Sequence, residues 1–278
     1  MRVIRPSNAK TAITRPATTT KRLGPTPAKD RVNPAFTLLG YPERAGGLAL
    51  DMEAEARVVV ATGGALAVGT RTIASLVASD GTAAAPHAAM LTRPVASLRD
   101  LADAVHALCT VHASAERRPP QLAAQLSAAD PALQHWIARV PLVRADERAY
   151  LAHLAADVGP APSTPGHAAA EAALLTQRQV LDRLSGSDRA GCALGAAIAL
   201  TLDWVAVRRV LDNAARRLFG ASPGQIDDVA RQITALLAQS TLPTGVERAM
   251  LFGAEQMLAQ HRGLWHLLEA RASARDRA

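Results

Sequence analysis

Residues 190–207 read AGCALGAAIALTLDWVAV, the longest apolar run in the chain, and continue as RRVLDNAARRLFG to Gly220. Ala and Leu dominate the run, and both are strong helix formers. Ser187 supplies an N-cap, Asp188 a first-turn acid, Arg216 and Arg217 last-turn cations, and Gly220 a residue suited to a left-handed helix end. One long helix is expected over about residues 188–219. Its first half is apolar on all sides, which marks a helix as buried or membrane-spanning. A span needs roughly 20 apolar residues without charge. This run stops short of that and contains Asp203, so a buried central helix is expected. In its second half Arg208, Asp212 and Arg216 recur at i, i+4, which predicts a solvated, ion-paired face.

Composition extends this reading to the rest of the chain. The 278 residues are 49% hydrophobic but only 3% aromatic, so the core is built from Ala, Leu and Val. Alternating β-branched runs are almost absent, VVVAT near Val58 being the one candidate. The fold class is all-α. The formal charge of +7 is unevenly placed: residues 1–31 hold eight basic groups, including Lys10, Lys21 and Lys29, against one acid, Asp30. The remainder is neutral, so the basic balance is no argument for nucleic-acid binding by the body. Cys109 and Cys192 are too few for a disulfide framework and read as reduced thiols in a cytoplasm. The basic N-terminus has no apolar secretory segment. Ala- and Arg-rich, Lys-poor usage suits a GC-rich bacterial genome.

Residues 1–50 are rich in Pro, Thr, Gly and basic groups and lack periodicity, which predicts a disordered tail. Such a tail can contact nucleic acid or anionic lipid non-specifically. It can equally reflect a mis-assigned start, with translation beginning near Met52. From Asp51 a helix is expected to about Ser79, and Ser97 opens another with Asp100 at N3. Asp130-Pro131 starts a short helix ending near Val140, followed by a separate one from Arg144 to Val158. Thr164-Pro165 opens a helix to Leu184, Ser222-Pro223 another, and Thr244 to Glu247 forms a capping box for the last. The expectation is a single bundle of about eight or nine helices over residues 51–278, around the buried central helix.

Within that bundle, polar residues in apolar places are the candidates for chemistry. Asp203 has Ala199, Leu200, Ala206 and Val207 as its helical neighbours, so its partner must come from another helix. The bland reading is a structural ion pair with an Arg, Arg178 and Arg262 being candidates, or a hydrogen bond to a helix end. His261 lies in the apolar stripe of the last helix, with Met250, Gly253, Met257 and Leu264. A histidine there is more often a satisfied core residue than a ligand. Glu255 flanks that stripe, and Glu171 follows His167 by four residues. Asp203, His261, Glu255 and Glu171, with His106 as a further partner, form the candidate buried site. Asp103, His106, Cys109 and His112 recur every third residue and are the candidate metal set. They drift about 60° per step around the axis, so any two can face one ion but all four cannot.

No Walker loop, Gly-x-Ser-x-Gly, His-Glu-x-x-His or Cys-x-x-Cys is present, and Asp103-Ala-Val-His106 is only a poor stand-in for a di-iron Glu-x-x-His. STPGHAAAEAALLTQRQVLDRLSGSDRAGCALGAAIALTLDW at 163–204 and VERAMLFGAEQMLAQHRGLWHLLEAR at 246–271 resemble an uncharacterised all-helical bacterial family over residues 52–270. The resemblance implies a helical body and no particular activity. The leading expectation is a cytoplasmic binding protein for a partner protein or a small apolar ligand, without specific nucleic-acid binding. The alternative is a metal- or haem-dependent helical enzyme with its site around Asp203 and His261. No cofactor is identifiable.

Overall fold

In a computed structural model of the chain the described residues are 67–112, 131–220, 227–237 and 243–278, all within the unit Asn33–Ala278. The expected tail, the boundary at residue 50, VVVAT, the first part of the helix expected from Asp51, and the helix starts expected at Asp130 and Ser222-Pro223 lie outside them. Among the described residues there are eight α-helices and no strand. They are α1 (Ala67–Asp80), α2 (Pro86–Leu91), α3 (Leu98–His112), α4 (Pro131–Asp157), α5 (His167–Ser185), α6 (Cys192–Phe219), α7 (Asp227–Leu237) and α8 (Thr244–Asp276). A single 3-10 turn, Thr82–Ala84, links α1 to α2. None of these helices is long and apolar enough to cross a membrane.

The central helix starts later than its sequence suggests. Gly191 stands before α6 at φ +92°, and a side chain there would meet the Val246 backbone. Ser187 and Asp188 are left outside the helix for that reason. Further along, α6 lies along α8 with glycines at the crossing. A Cβ on Gly195 would collide with the Met250 backbone, and one on Gly253 with that of Cys192. Leu194, Ile198 and Ala199 fill in around this seam with Met250, Ala254, Met257, Trp136 and Ile233. Beyond Trp204 a second apolar cluster takes over, joining Val207, Val210 and Leu211 to Leu101, Leu108, Leu264 and Trp265.

Residues 131–157 form one helix where the sequence suggested two. Pro141 sits inside it, and a proline costs a helix interior about 3 kcal/mol. Ile137 and Val140 before the proline and Tyr150, Leu151 and Leu154 after it are all buried. Burying a side chain of this kind contributes about 1.5–3 kcal/mol, so packing on both sides outweighs the interruption. Two other starts differ as well. Thr164 does not cap α5, which opens at His167 after Gly166 at φ +73°. Its hydroxyl instead accepts from Arg275 Nη1 at 2.9 Å. Pro243 precedes α8, and no side-chain cap bond forms at Thr244.

Candidate functional site

Asp203 reaches the core from the middle of α6 and is 1% exposed. Its Oδ1 accepts from the Thr82 backbone N–H at 2.6 Å, and its Oδ2 from the Thr82 hydroxyl at 2.6 Å. Gly81 makes this approach feasible, because a Cβ at that position would strike the Asp203 carboxylate. Oδ2 also lies 2.5 Å from Nδ1 of His261, which projects from α8 and is fully buried. Beyond it, His261 Nε2 faces His112 Nε2 of α3 at 3.2 Å, so one of these nitrogens donates and the other accepts. Trp265 Nε1 donates to the Thr82 hydroxyl at 2.9 Å. The result is a buried line of polar atoms, Trp265–Thr82–Asp203–His261–His112, that ties the 3-10 turn, α6, α8 and α3 together.

Electrostatics follow from that geometry. Burial works to raise the Asp203 carboxyl, but the bond and charge of His261 and the two Thr82 bonds outweigh it and hold it below its ordinary range. Burial, with His261 and Arg144 nearby, holds the His112 imidazole well below the usual histidine range, so His112 is neutral. The line thus sets an anionic carboxylate against the His261 imidazole, with a neutral imidazole behind it.

A second buried group adjoins the first. The His112 ring stands edge-on to Trp204 at 4.9 Å, and the Arg144 guanidinium lies 4.7 Å from the centre of the Trp204 ring. Trp204 Nε1 donates to Glu147 at 2.9 Å, and Arg208 donates to Glu147 at 2.6 Å and to Asp212 at 2.9 Å. Tyr150 gives its hydroxyl to Asp212 at 3.1 Å and its ring face to Arg208. Burial raises the Glu147 and Asp212 carboxyls, with Arg208 opposing it. The expected solvated face of α6 is therefore corrected: Arg208 and Asp212 are 2% and 5% exposed. Spacing at i, i+4 reports an ion pair but does not say which side of the helix is wet.

The structure brings only part of the expected constellation together. Asp203 and His261 meet. Glu255 is exposed on α8, because Ala254, Met257 and His261 occupy the inward arc. Glu171 is exposed at the start of α5, 3.8 Å from His167. Neither belongs with Asp203. The cation expected for Asp203 is replaced by His261 and Thr82, and Arg262 instead meets Asp80 at 2.9 Å. The candidate metal set on α3 is dispersed by helical drift. Asp103 pairs with Arg271 and Arg275, His106 Nε2 meets the Gly159 carbonyl at 2.7 Å, and Cys109 is half-buried with its thiol raised by burial. His112 alone joins the Asp203 line. Among the described residues no three or more His, Cys, Asp or Glu side chains are grouped to hold a metal ion.

Thr82, Trp265 and Glu147 were not foreseeable from sequence. Only the order of elements brings a threonine after SDG beneath an aspartate 121 residues later. Comparison with known proteins adds one finding: a family model described as a family of unknown function (DUF6975) matches residues 77–276. No curated protein and no solved structure matches.

Proposed function

We propose that this chain, which belongs to DUF6975, a family of unknown function, works by binding a partner and not by catalysis. The observation that supports this reading is where its side chains are spent. Asp203, His261 and His112 are 1%, 0% and 6% exposed and are bonded to one another. Groups used in this way serve the core. Large apolar side chains stand outside: Met90, Val95, Leu98, Leu142, Leu175 and Phe252. The two thiols, Cys109 and Cys192, are free, in keeping with a reducing cytoplasm. The same reading keeps residues 1–50 as a basic tail on a body that begins near residue 51.

A second reading rests on one distance. The 3.2 Å between His112 Nε2 and His261 Nε2 approximates the separation of two imidazoles on one tetrahedral ion with bonds of roughly 2.0–2.1 Å. Asp203 would then be the carboxylate that orients a metal-bound histidine. Metal analysis and an absorption spectrum of the full chain separate the two readings. A colourless, metal-free, folded protein is the expected result. About one equivalent of zinc, iron or haem, lost in Asp203→Asn and His261→Gln, would replace the binding reading with the metal-dependent one.

A further inference from the structure

We propose that the β-turn Arg93–Ala96, with Met90 on α2 and Leu98 at the start of α3 beside it, is a docking surface for an acidic, apolar segment of a partner protein. This rests on the binding reading and names its partner chemistry. Ala96 N–H donates to the Arg93 carbonyl at 3.0 Å, closing a β-turn with Pro94 and Val95 at its centre. α6 holds the turn from beneath. Asn213 Nδ2 donates to the carbonyls of Leu91 and Arg93 at 2.7 and 2.9 Å. Arg217 Nη1 donates to those of Pro94 and Ala96, both at 2.6 Å. With the carbonyls on either side of Val95 drawn inward, its side chain is presented outward and is 87% exposed.

The second central position of such a turn ordinarily takes Asp, Asn, Ser or Gly. A β-branched apolar residue there adds nothing to the core. Met90 and Leu98 flank it at 51% and 46% exposure, so three large apolar side chains are presented within nine residues. A turn already closed by its own backbone bond and held by four more from α6 loses little freedom on binding, which favours its use as a preformed contact.

Charge selects the occupant. Arg93 is exposed and makes no ion pair among the described residues. Arg216 is exposed, and it lies three residues after Asn213 and beside Arg217, on the face of α6 that meets the turn. The neighbouring acids are already taken: Asp100 by Arg275 at 2.7 Å, and Asp276 by Arg99 at 2.9 Å. The rim therefore carries positive charge that calls for carboxylates. Residues 1–31 of this chain, with eight basic groups against one acid, do not offer the carboxylates that such a rim calls for.

The test is a displayed random-peptide library panned on the full chain, followed by fluorescence anisotropy of the enriched peptides. Peptides that carry Asp or Glu beside Leu, Ile or Phe are expected. Their affinity should fall on the order of tenfold or more in Val95→Ser and in Arg93→Glu, with unchanged thermal melting in both variants. No enrichment, or peptides without acids, overturns the inference. Enriched peptides that bind both variants normally also overturn it but leave the binding reading intact, whereas stoichiometric metal would remove that reading instead. Retention on phosphatidylserine vesicles that Arg93→Glu abolishes, without peptide enrichment, would make the occupant a membrane. Self-association abolished by Val95→Ser would make it a second copy of this chain.

Discussion

Along its first turns α6 offers α8 little more than Gly195, Ala196 and Ala199, and the two backbones close to touching distance. From Asp203 onward the same helix offers Asp203, Arg208, Asp212 and Asn213, each buried and each bonded to another element or to its neighbour. The first half is held by close packing, in which many small dispersion contacts add up without specifying particular partners. The second also packs an apolar cluster, but adds paired charges whose removal from water is costly and which are stable only while every partner is present. The small-residue half fixes how near the helices lie. The charged half fixes which atoms meet.

That contrast is tested most severely at Arg208. Arg208→Leu leaves Glu147 and Asp212 buried without their shared cation, and a loss of about 3–5 kcal/mol in denaturant unfolding is expected. Adding Glu147→Leu and Asp212→Leu should recover most of it, because an apolar replacement of a whole buried ion group is often neutral. A single variant as stable as the parent would break the comparison. Gly195→Ala probes the other half. Its methyl group meets the Met250 backbone, which cannot swing aside as a side chain can, so a loss of about 1–3 kcal/mol is expected. Unchanged melting would show that the seam is looser than described.

The smallest effect is a dependence on pH. Burial keeps His112 neutral in the folded chain, while in the unfolded chain it takes up a proton below about pH 6.5. The unfolded state then binds more protons, so stability is complete above about pH 6.5 and falls as pH drops below it, by at most about 1.4 kcal/mol per pH unit for one group. His87, also lowered by burial, acts in the same direction, whereas Glu147 and Asp212, raised by burial, act in the opposite one. The measurement is therefore the part of the slope that disappears in His112→Gln. Equal slopes in parent and variant would show that His112 does not titrate with unfolding.

Much of this architecture was legible because apolar periodicity and helix formers report burial directly. Asp203 could be recognised as a residue in need of a distant partner, and His261 as inward-facing, from their own helices alone. The identity of their contacts could not. His112 reads from sequence as one of four evenly spaced polar residues, and only the packing of α3 against α8 singles it out. Arg208 and Asp212 carry the same spacing whether wet or dry. Pro141 looks like a break because sequence shows the lost N–H but not the burial on both sides of it. Glu255 and Glu171 entered the candidate site through their neighbours in the chain and left it through the directions of their own side chains.

The Asp203 line also bears on the order in which the chain can be completed. Thr82 and His112 leave the ribosome long before Asp203, and His261 follows Asp203 by 58 residues. Until His261 emerges, the Asp203 carboxylate has no imidazole to lie against, and α6 has no α8 to receive its glycine seam. A domain generally folds as a unit, and chains are made at roughly 5–20 residues per second. Here the closing piece is the last helix, so the nascent bundle is held open for several seconds by that arithmetic. A chain cut short before His261 lacks the keystone of its core rather than an outer layer.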